Sequence, residues 1–593
     1  MSAADLAATL QAALAAHRAG DLAAASAGYE RVLAGQPENF DALYLRGMIH
    51  LVQDELDLGE ALTRRALAVK PAFPEALGNL GRIAIARGRR DTAIDAWQRA
   101  LRLKPEDRAL RLELGRALCE ARRFADAVAN QTVAVLNHPD DADALLVLGN
   151  ALFGQGQIEA ALAAYRRGAA IQPGHADLQH NLGLALFERQ EVDAAIAQYR
   201  LALSLRPNDH TILNNLGVAL RGVGALDAAI ATYRQALAVA PDDAMAWNNL
   251  GVACTESRAL DEGIAAYRRA SLLDPTAADP HYNLALSLLL QGDYPEGWRE
   301  MEWRWQTKTF LKQKQTIDAP AWRGEPLGDG VLLVHDEQGL GDTVQMCRFV
   351  ALAAQRARVV LQVQRPLVGL LGGLTGVARV IARGEPLPAC AAHLPLMSLP
   401  EVFGTTLDTI PAADGYLQAD PARVAQWRRR LEALPGMRVG LVWAGNPRLG
   451  GLSYDRADRR RSLSLALLAP LALPGVSLVS LQKGEAGRQA QGMAVTDWTA
   501  ELHDMADTAA LVDALDLVIS VDTAVAHLAG ALGKPIWLLN RYDNDWRWLL
   551  GRDDSPWYRS LRQFRQSMPG GWAEVVSRVA AALSAQIELV AGR

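Results

Sequence analysis

Residues 173–207 read PGHADLQHNLGLALFERQEVDAAIAQYRLALSLRP. A proline brackets the stretch at each end, and the interval between the two recurs along half the chain. Pro37, Pro71, Pro105, Pro139, Pro173, Pro207, Pro241 and Pro275 are evenly spaced without exception. Self-similarity at a fixed period is the mark of a solenoid or array. Other positions keep phase. Gly47, Gly81, Gly115, Gly149, Gly183, Gly217 and Gly251 each stand at one fixed distance before a proline of the series, where a small residue lets two helices approach closely. Ala25, Ala93, Ala127, Ala161, Ala195 and Ala229 hold the small position of a second helix, with Gly59 and Gly263 standing in for alanine. The proline ends that helix, because it lacks an N–H and disfavours helix in the residue before it.

The interval, about 34 residues, is the length of a tetratricopeptide repeat, one helix-turn-helix per unit. Eight units run from about Leu6 to Ala277, and a degenerate ninth continues through Tyr282, Gly292 and Trp298 without its proline. Such an array buries its core between neighbouring units and leaves a long groove suited to a polypeptide. Asn79, Asn181, Asn215, Asn249 and Asn283 share one repeat position, just before the signature glycine or, last, before Ala285. An amide both donates and accepts, so a row of them can hold a peptide backbone without selecting its side chains. The row resembles the asparagine ladder of the O-GlcNAc transferase superhelix. Hydrogen bonding within the array is the alternative role for the same amides.

Composition narrows the rest. A chain of 593 residues exceeds one core and implies several domains. Lysine and arginine total 61 against 66 acidic residues, a net charge of -5. That balance gives no basic footprint for nucleic acid. Cys119, Cys254, Cys347 and Cys390 are scattered without metal-ligand spacing, which fits a reducing compartment. No signal peptide and no run of about 18 apolar residues appears. The expectation is a soluble, cytoplasmic protein with no membrane span, no metal and no cofactor.

The pattern changes near Lys312. From Gly330 onward, short β-branched runs alternate with helical stretches, which predicts parallel sheets. The first predicted strand, 331–335, runs into Asp336-Glu337-Gln338-Gly339-Leu340-Gly341-Asp342 and then a helix from Thr343. Gly339 and Gly341 would let a ligand approach the amides at a helix start. The full dinucleotide fingerprint is absent, so a nicotinamide enzyme is disfavoured. Strands are also predicted at 359–363, 378–381, 439–443, 476–482, 517–521 and 535–539. Helices are predicted at 421–434, 508–515 and 523–532. Two such lobes form a cleft at the carboxyl ends of their strands. Gly445-Asn446, Gln482-Lys483-Gly484 and Asp522-Thr523-Ala524-Val525-Ala526-His527 stand at those ends. The free N–H groups at Thr523 and Ala524 suit a diphosphate, and His527 lies on the same helical face as Thr523.

The stretch from Val518 to Pro535 resembles the nucleotide-sugar motif of the heptosyltransferase-like glycosyltransferases, which have the GT-B fold. Gly341-Asp342 is similar to that family's N-lobe motif, whose aspartate is the proposed base. Gly440 to Asn446, Ser480-Leu-Gln482 and Asp545-Trp-Arg-Trp548 add to the likeness, and Trp322 to about Trp572 resembles the tail of bacterial repeat-containing glycosyltransferases, some of which modify flagellin. The resemblance implies an α-solenoid followed by an α/β GT-B pair of lobes. The expected boundaries are 1–311 for the repeats, 312–327 for a linker, 328–420 for the N-lobe, 421–436 for a linker helix and 437–593 for the C-lobe. The N-lobe is shorter than in glycolipid heptosyltransferases.

The resemblance makes Asp342 the expected general base, with Glu337 in reserve; an N-cap is the plain alternative for Asp342. Gly339, Gly341, Asn446, Arg461, Gln482, Lys483, Asp522, Thr523, Ala524 and His527 are expected around a nucleotide sugar, with Arg460 a further candidate for its phosphates. His335 and Asp336 are expected to be strand-end structure. Asp543-Asn544-Asp545 has the form of a metal-binding D-x-D but is expected to be a loop. Trp546, Trp548, Trp557 and Tyr558 are expected to pack the C-terminal crossover. The function so implied is transfer of a sugar from a nucleotide donor to Ser or Thr of a polypeptide held by the repeats. Transfer to a glycan or lipid core, or a non-enzymatic adaptor, are the alternatives.

Overall fold

The structure is a computed structural model, and it describes residues 2–445, 458–491 and 494–591. Residues 1–241 and 242–593 form two compact units.

The first unit is a run of antiparallel helix pairs, from Ala3–Arg18 with Leu22–Gly35 to His210–Gly222 with Leu226–Val239. Aspartate or asparagine opens many of these helices: Asn39, Asp107, Asp141 and Asp209 each accept an N–H of the first turn. The turn inside each pair carries one residue with positive φ, at Gly20, Asp54, Gly88, Arg122, Gly156, Gln190 and Gly224. These too recur once per repeat, in phase with the prolines. The sequence shows only the glycine half of that series, because alternate units place a side chain in the left-handed region. The signature glycines have a packing cause. A Cβ on Gly183 would lie 2.7 Å from the Tyr199 ring, one on Gly217 2.5 Å from Tyr233, and one on Gly81 2.2 Å from Trp97. An aromatic ring of the second helix therefore lies over the missing side chain. Two pairs differ: Thr63 lies opposite Gly47 in the second, and in the fourth Gln131 lies opposite Gly115 and donates to the Arg111 carbonyl at 2.8 Å.

The second unit begins with the eighth pair, Ala244–Glu256 and Leu260–Leu273, and the ninth, Ala278–Gln291 and Tyr294–Met301. The α/β part follows. Its first sheet is parallel, with β1 (Val331–His335), β2 (Arg358–Val363), β3 (Val377–Ala382) and β4 (Ala392–Pro395) in the order β3-β2-β1-β4. Its second is also parallel: β5 (Met437–Val442), β6 (Val476–Ser480), β7 (Val495–Asp497), β8 (Leu517–Val521), β9 (Ile536–Asn540) and β10 (Leu561–Arg565), ordered β10-β9-β8-β5-β6-β7. Its longer helices include α1 (Leu340–Met346), α2 (Pro421–Leu431), α3 (Met505–Ala514), α4 (Ala524–Ala531) and α5 (Trp572–Ala591). The architecture is the solenoid followed by a two-lobed α/β part that the repeats and strand pattern implied.

The ninth repeat shares a core with both lobes. Trp298 meets Trp546 edge-on at 5.3 Å, and Trp557 Nε1 donates to the Tyr294 hydroxyl at 3.0 Å. The tryptophan cluster thus packs against the last repeat. The segment expected as a linker is docked as well: Trp322 is 1% exposed, and its N–H donates to the His393 carbonyl in β4. Among the described residues, no helix is long and apolar enough to cross a membrane.

Candidate active site

Between the two sheets of the second unit lies a cleft of about 610 Å³, at the carboxyl ends of β1, β5, β6 and β8. Parallel strands deliver their following loops to one edge, and there the loops of the two lobes face each other. From the N-lobe come Gln338, Gly339, Leu340, Gly341 and Asp342; from the C-lobe come Arg461, Gln482, Asp522, Thr523, His527, Arg541, Asp545 and Arg547 among others.

The two helix starts, α1 and α4, touch. A Cβ on Gly341 would lie 2.8 Å from His527 Cδ2 and 3.3 Å from Ala524 Cα. Gly341 is therefore required by closure of the lobes, in addition to any approach of a ligand. Asp342 sits in the first turn of α1 and accepts from the Gly339 N–H at 2.7 Å. Its other oxygen accepts from Arg547 Nη2. The capping role is real, and the guanidinium partner goes beyond what a cap requires.

Arg547 is the charge centre of the cleft. It is 7% exposed, donates from Nη1 to Asp545 at 2.8 Å and from Nε to Gln345 at 2.5 Å, and holds Asp342. Burial raises the carboxyls of Asp545 and Asp522 alike. Around Asp545 the Arg547 charge and hydrogen bonds prevail and lower it, whereas Asp522 stays raised, with Asp545 adding to burial.

Helix α4 starts at Thr523, whose side chain does not cap it. The Thr523 hydroxyl lies 3.0 Å from Ser520 Oγ instead. The first-turn amides of α4 thus open on the cleft without a side-chain partner from their own N-cap, the arrangement that favours an anion. His527 stacks on Trp548 at 5.2 Å, and its Nδ1 lies 3.0 Å from the Tyr558 hydroxyl. Burial, then the Arg547 charge, pushes its pKa down to about 3. The ring is neutral at neutral pH and can offer one N–H. Arg461 donates from Nη1 to the Asp522 carbonyl at 3.0 Å and is braced by Asp458 at 2.7 Å.

Several of these residues match a known family. Residues 485–566 fit the glycosyltransferase family 9 (heptosyltransferase) model, and residues 10–76, 79–142, 112–176, 146–210 and 214–278 fit the tetratricopeptide repeat. The chain joins tetratricopeptide repeats to a heptosyltransferase-like segment. Protein FlbA of Caulobacter vibrioides is 31% identical over 335 residues, 50% of this chain and 54% of FlbA. The chain thus spans about half the length of the curated relative it matches. Among solved structures, MamA is 27% identical over 28% of this chain and 91% of its own, with a TM-score of 0.26. A tetratricopeptide protein of Thermus thermophilus, TTC0263, is 27% identical over 30% of this chain and 98% of its own, with a TM-score of 0.27. The heptosyltransferase-like segment carries α4, with Asp522 to His527, and the Asp545 to Trp548 run.

Other expected residues lie away from the cleft or line it with their polar groups already engaged, as Gln482 and Lys483 do. Glu337, expected as a reserve base, does not line the cleft. Its carboxylate is buried against Arg304, which donates from Nε at 2.8 Å and from Nη2 at 3.0 Å, and it accepts from the Met397 N–H at 3.0 Å. Although it shares the β1–α1 loop with Gly339, it leaves β1 toward the ninth repeat, away from the cavity. Gln482 lines the cleft, but its Oε1 accepts from the Trp443 and Ala444 N–H groups at 3.0 and 2.8 Å, which ties β6 to the end of β5. Lys483 donates to the Leu502 carbonyl. Arg460 turns outward to Asp543, at 2.7 Å, and Glu256, at 3.3 Å. Asn446 lies outside the described residues. His335 and Asp336 are strand-end structure, contacting His393 at 3.2 Å and Arg383 at 2.8 Å. In the Asp543-Asn544-Asp545 loop both aspartates face arginines.

Asn181, Asn215 and Asn283 contact a neighbouring repeat, whereas Asn79 bonds within its own helix. In the first unit, Asn181 donates to Asn150 at 2.8 Å, Asn215 Nδ2 lies 2.8 Å from His180 Nε2, and Asn79 is bonded to Arg82 at 3.2 Å. In the second, Asn283 donates to Asn248 at 3.0 Å. Asn181, Asn215, Asn249 and Asn283 keep part of their surface exposed, while Asn79 is buried. Sequence reasoning overlooked Arg547, Arg541 and Asp458. The one signal for Arg547 was its place between two tryptophans, since a cation so flanked is desolvated and must meet carboxylates.

Proposed function

We propose that the chain is a metal-independent glycosyltransferase that moves a sugar from a nucleotide-sugar donor to a Ser or Thr hydroxyl of a polypeptide held by the repeats. The observation that carries this reading is the approach of Asp342 on α1 to the open start of α4 inside the heptosyltransferase-like segment. The diphosphate would rest on the amides of Thr523 and Ala524, with Arg461 and the neutral His527 beside it. The acceptor oxygen would attack the anomeric carbon as the bond to the diphosphate breaks. The proton would pass to Asp342, and the nucleoside diphosphate would leave with the electron pair, its charge met by Arg461 and the helix start. Asp342 has lone pairs beyond the two engaged by Gly339 and Arg547, and those two contacts would orient it. The half-exposed asparagines, Asn181, Asn215, Asn249 and Asn283, would exchange part of their hydrogen bonding within the array for a peptide backbone. The protein would act in the cytoplasm, where nucleotide sugars are made. The resemblance to bacterial repeat-containing glycosyltransferases, some of which modify flagellin, makes secreted and flagellar proteins the first acceptors to examine.

The test is calorimetry of the full chain with a panel of nucleotide sugars, joined to intact-mass comparison of secreted and flagellar proteins from cells with and without this protein. Donor binding and a sugar-sized mass difference are expected. No binding to any nucleotide sugar would leave an adaptor. Donor binding with transfer only to a free glycan would leave a core glycosyltransferase.

A further inference from the structure

A second, smaller cavity of about 220 Å³ lies in the second unit, where the eighth and ninth repeats meet the loop after β9. Leu260, Leu286 and Leu290 line it from the repeats, and Tyr542, Trp546 and Leu550 from the C-lobe. Leu260, Leu286 and Leu550 are only half-buried, so they leave apolar surface in water that an apolar partner would cover. The walls are held by contacts that cross from repeat to lobe. Arg258 lies 3.7 Å over the Tyr542 ring and donates twice to the Tyr542 carbonyl, at 2.9 and 2.6 Å. Arg460 joins Glu256 to Asp543. The cavity is therefore preformed.

Two further features say what it takes. Arg541 and Asp545 line both this cavity and the large cleft, so the two share a wall. Asn544 also lines it and is 6% exposed. Its Nδ2 donates to the Leu549 and Asp545 carbonyls, yet its Oδ1 is buried without a hydrogen-bond partner. A buried acceptor of that kind costs free energy until a donor reaches it. An apolar floor beside a lone acceptor oxygen matches an aliphatic side chain with its backbone N–H.

We propose that this cavity is a subsite for one apolar side chain of the acceptor polypeptide, close in sequence to the hydroxyl that receives the sugar. It rests on the transfer reading of the large cleft. Specificity would then come from the junction of repeat and lobe, complementing a groove that holds backbone.

The probe is an array of fluorescent peptides with one central Ser in a Gly, Ala and Lys background, carrying Leu, Phe, Asp or Lys at each neighbouring position. Binding to the full chain is read by anisotropy, so no transfer is needed. At one position Leu is expected to bind about ten-fold more tightly than Asp, the effect of burying much of one aliphatic side chain. Leu286→Trp, which fills the cavity, should erase that preference while nucleotide-sugar binding stays unchanged; Leu550→Trp repeats the test from the opposite wall. No apolar preference at any position, no peptide binding, or a preference that survives both variants would overturn the subsite. Wild-type protein that shows the preference yet binds no nucleotide sugar would keep the subsite and remove the transfer reading.

Discussion

Asp342 and His527 belong to different lobes, and each is set by the same buried cation. Arg547 holds the Asp342 carboxylate and helps to keep His527 neutral. Asp342→Asn keeps the acceptor of the Gly339 N–H but removes the negative charge and the proton-accepting oxygen. Transfer should fall at least about 100-fold, the usual scale for a lost general base, with nucleotide-sugar affinity by calorimetry changed little. Unchanged transfer would remove Asp342 from the chemistry. His527 gives a prediction in pH. Its folded pKa of about 3 lies below the unfolded value near 6.5, so the unfolded chain binds the proton more readily. The stability of the neutral ring is present above about pH 6.5 and is lost as pH falls toward 3, at up to about 1.4 kcal/mol per pH unit. His335, pushed down to about 4 by burial and then by His393, adds in the same direction. Chemical denaturation from pH 7 to pH 4 should show the loss, and His527→Gln should flatten it.

At the scale of elements, the meeting of α1 and α4 depends on Gly341. Gly341→Ala puts a methyl group against a histidine ring stacked on Trp548 and against the α4 backbone, and neither can yield freely. A cost of about 1–3 kcal/mol in stability is expected, together with weaker donor binding, because the open amides of α4 shift with it; calorimetry and thermal melts check both. The elements themselves were largely legible in sequence. Strands 331–335 and 517–521 fall where their β-branched runs placed them. The strands not foreseen were β4, β7 and β10. β7 is very short, and β10 reads Leu-Arg-Gln-Phe-Arg, with no β-branched residue to signal it. Both lie at the edges of their sheet, where the demand for continuous apolar sequence is weakest. Asp342 and α4 could be found because a helix start is a local event. The fate of Glu337 could not, because it depends on Arg304, far earlier in the chain and in another element.

That pair ties the repeats to the N-lobe at the scale of the molecule. Arg304 closes the ninth repeat and is 0% exposed. It binds Glu337 at the end of β1, donates to Glu302 at 2.6 Å and to Ser398 at 2.7 Å, and so fixes the N-lobe to the last repeat through one guanidinium. A solenoid needs a cap on its final unit. Here the α/β part supplies the cap, and Trp298, Trp546 and Trp557 fill the space between them. The end of the repeats is therefore not a hinge, and deleting the array up to Leu311 would strip the N-lobe of part of its own core. Removing one partner of a buried pair leaves the other charge unpaired, which costs about 3–5 kcal/mol, whereas exchanging both for apolar residues of like size is often neutral. Arg304→Ala should accordingly lower the unfolding free energy of the second unit by that amount, and Arg304→Met with Glu337→Leu should recover most of it. If the double variant regains stability and also transfers sugar at the wild-type rate, Glu337 has no part in the chemistry and the pair is purely architectural. If stability returns without transfer, the ion pair sets the position of β1, and through it of Asp342, more finely than packing alone can.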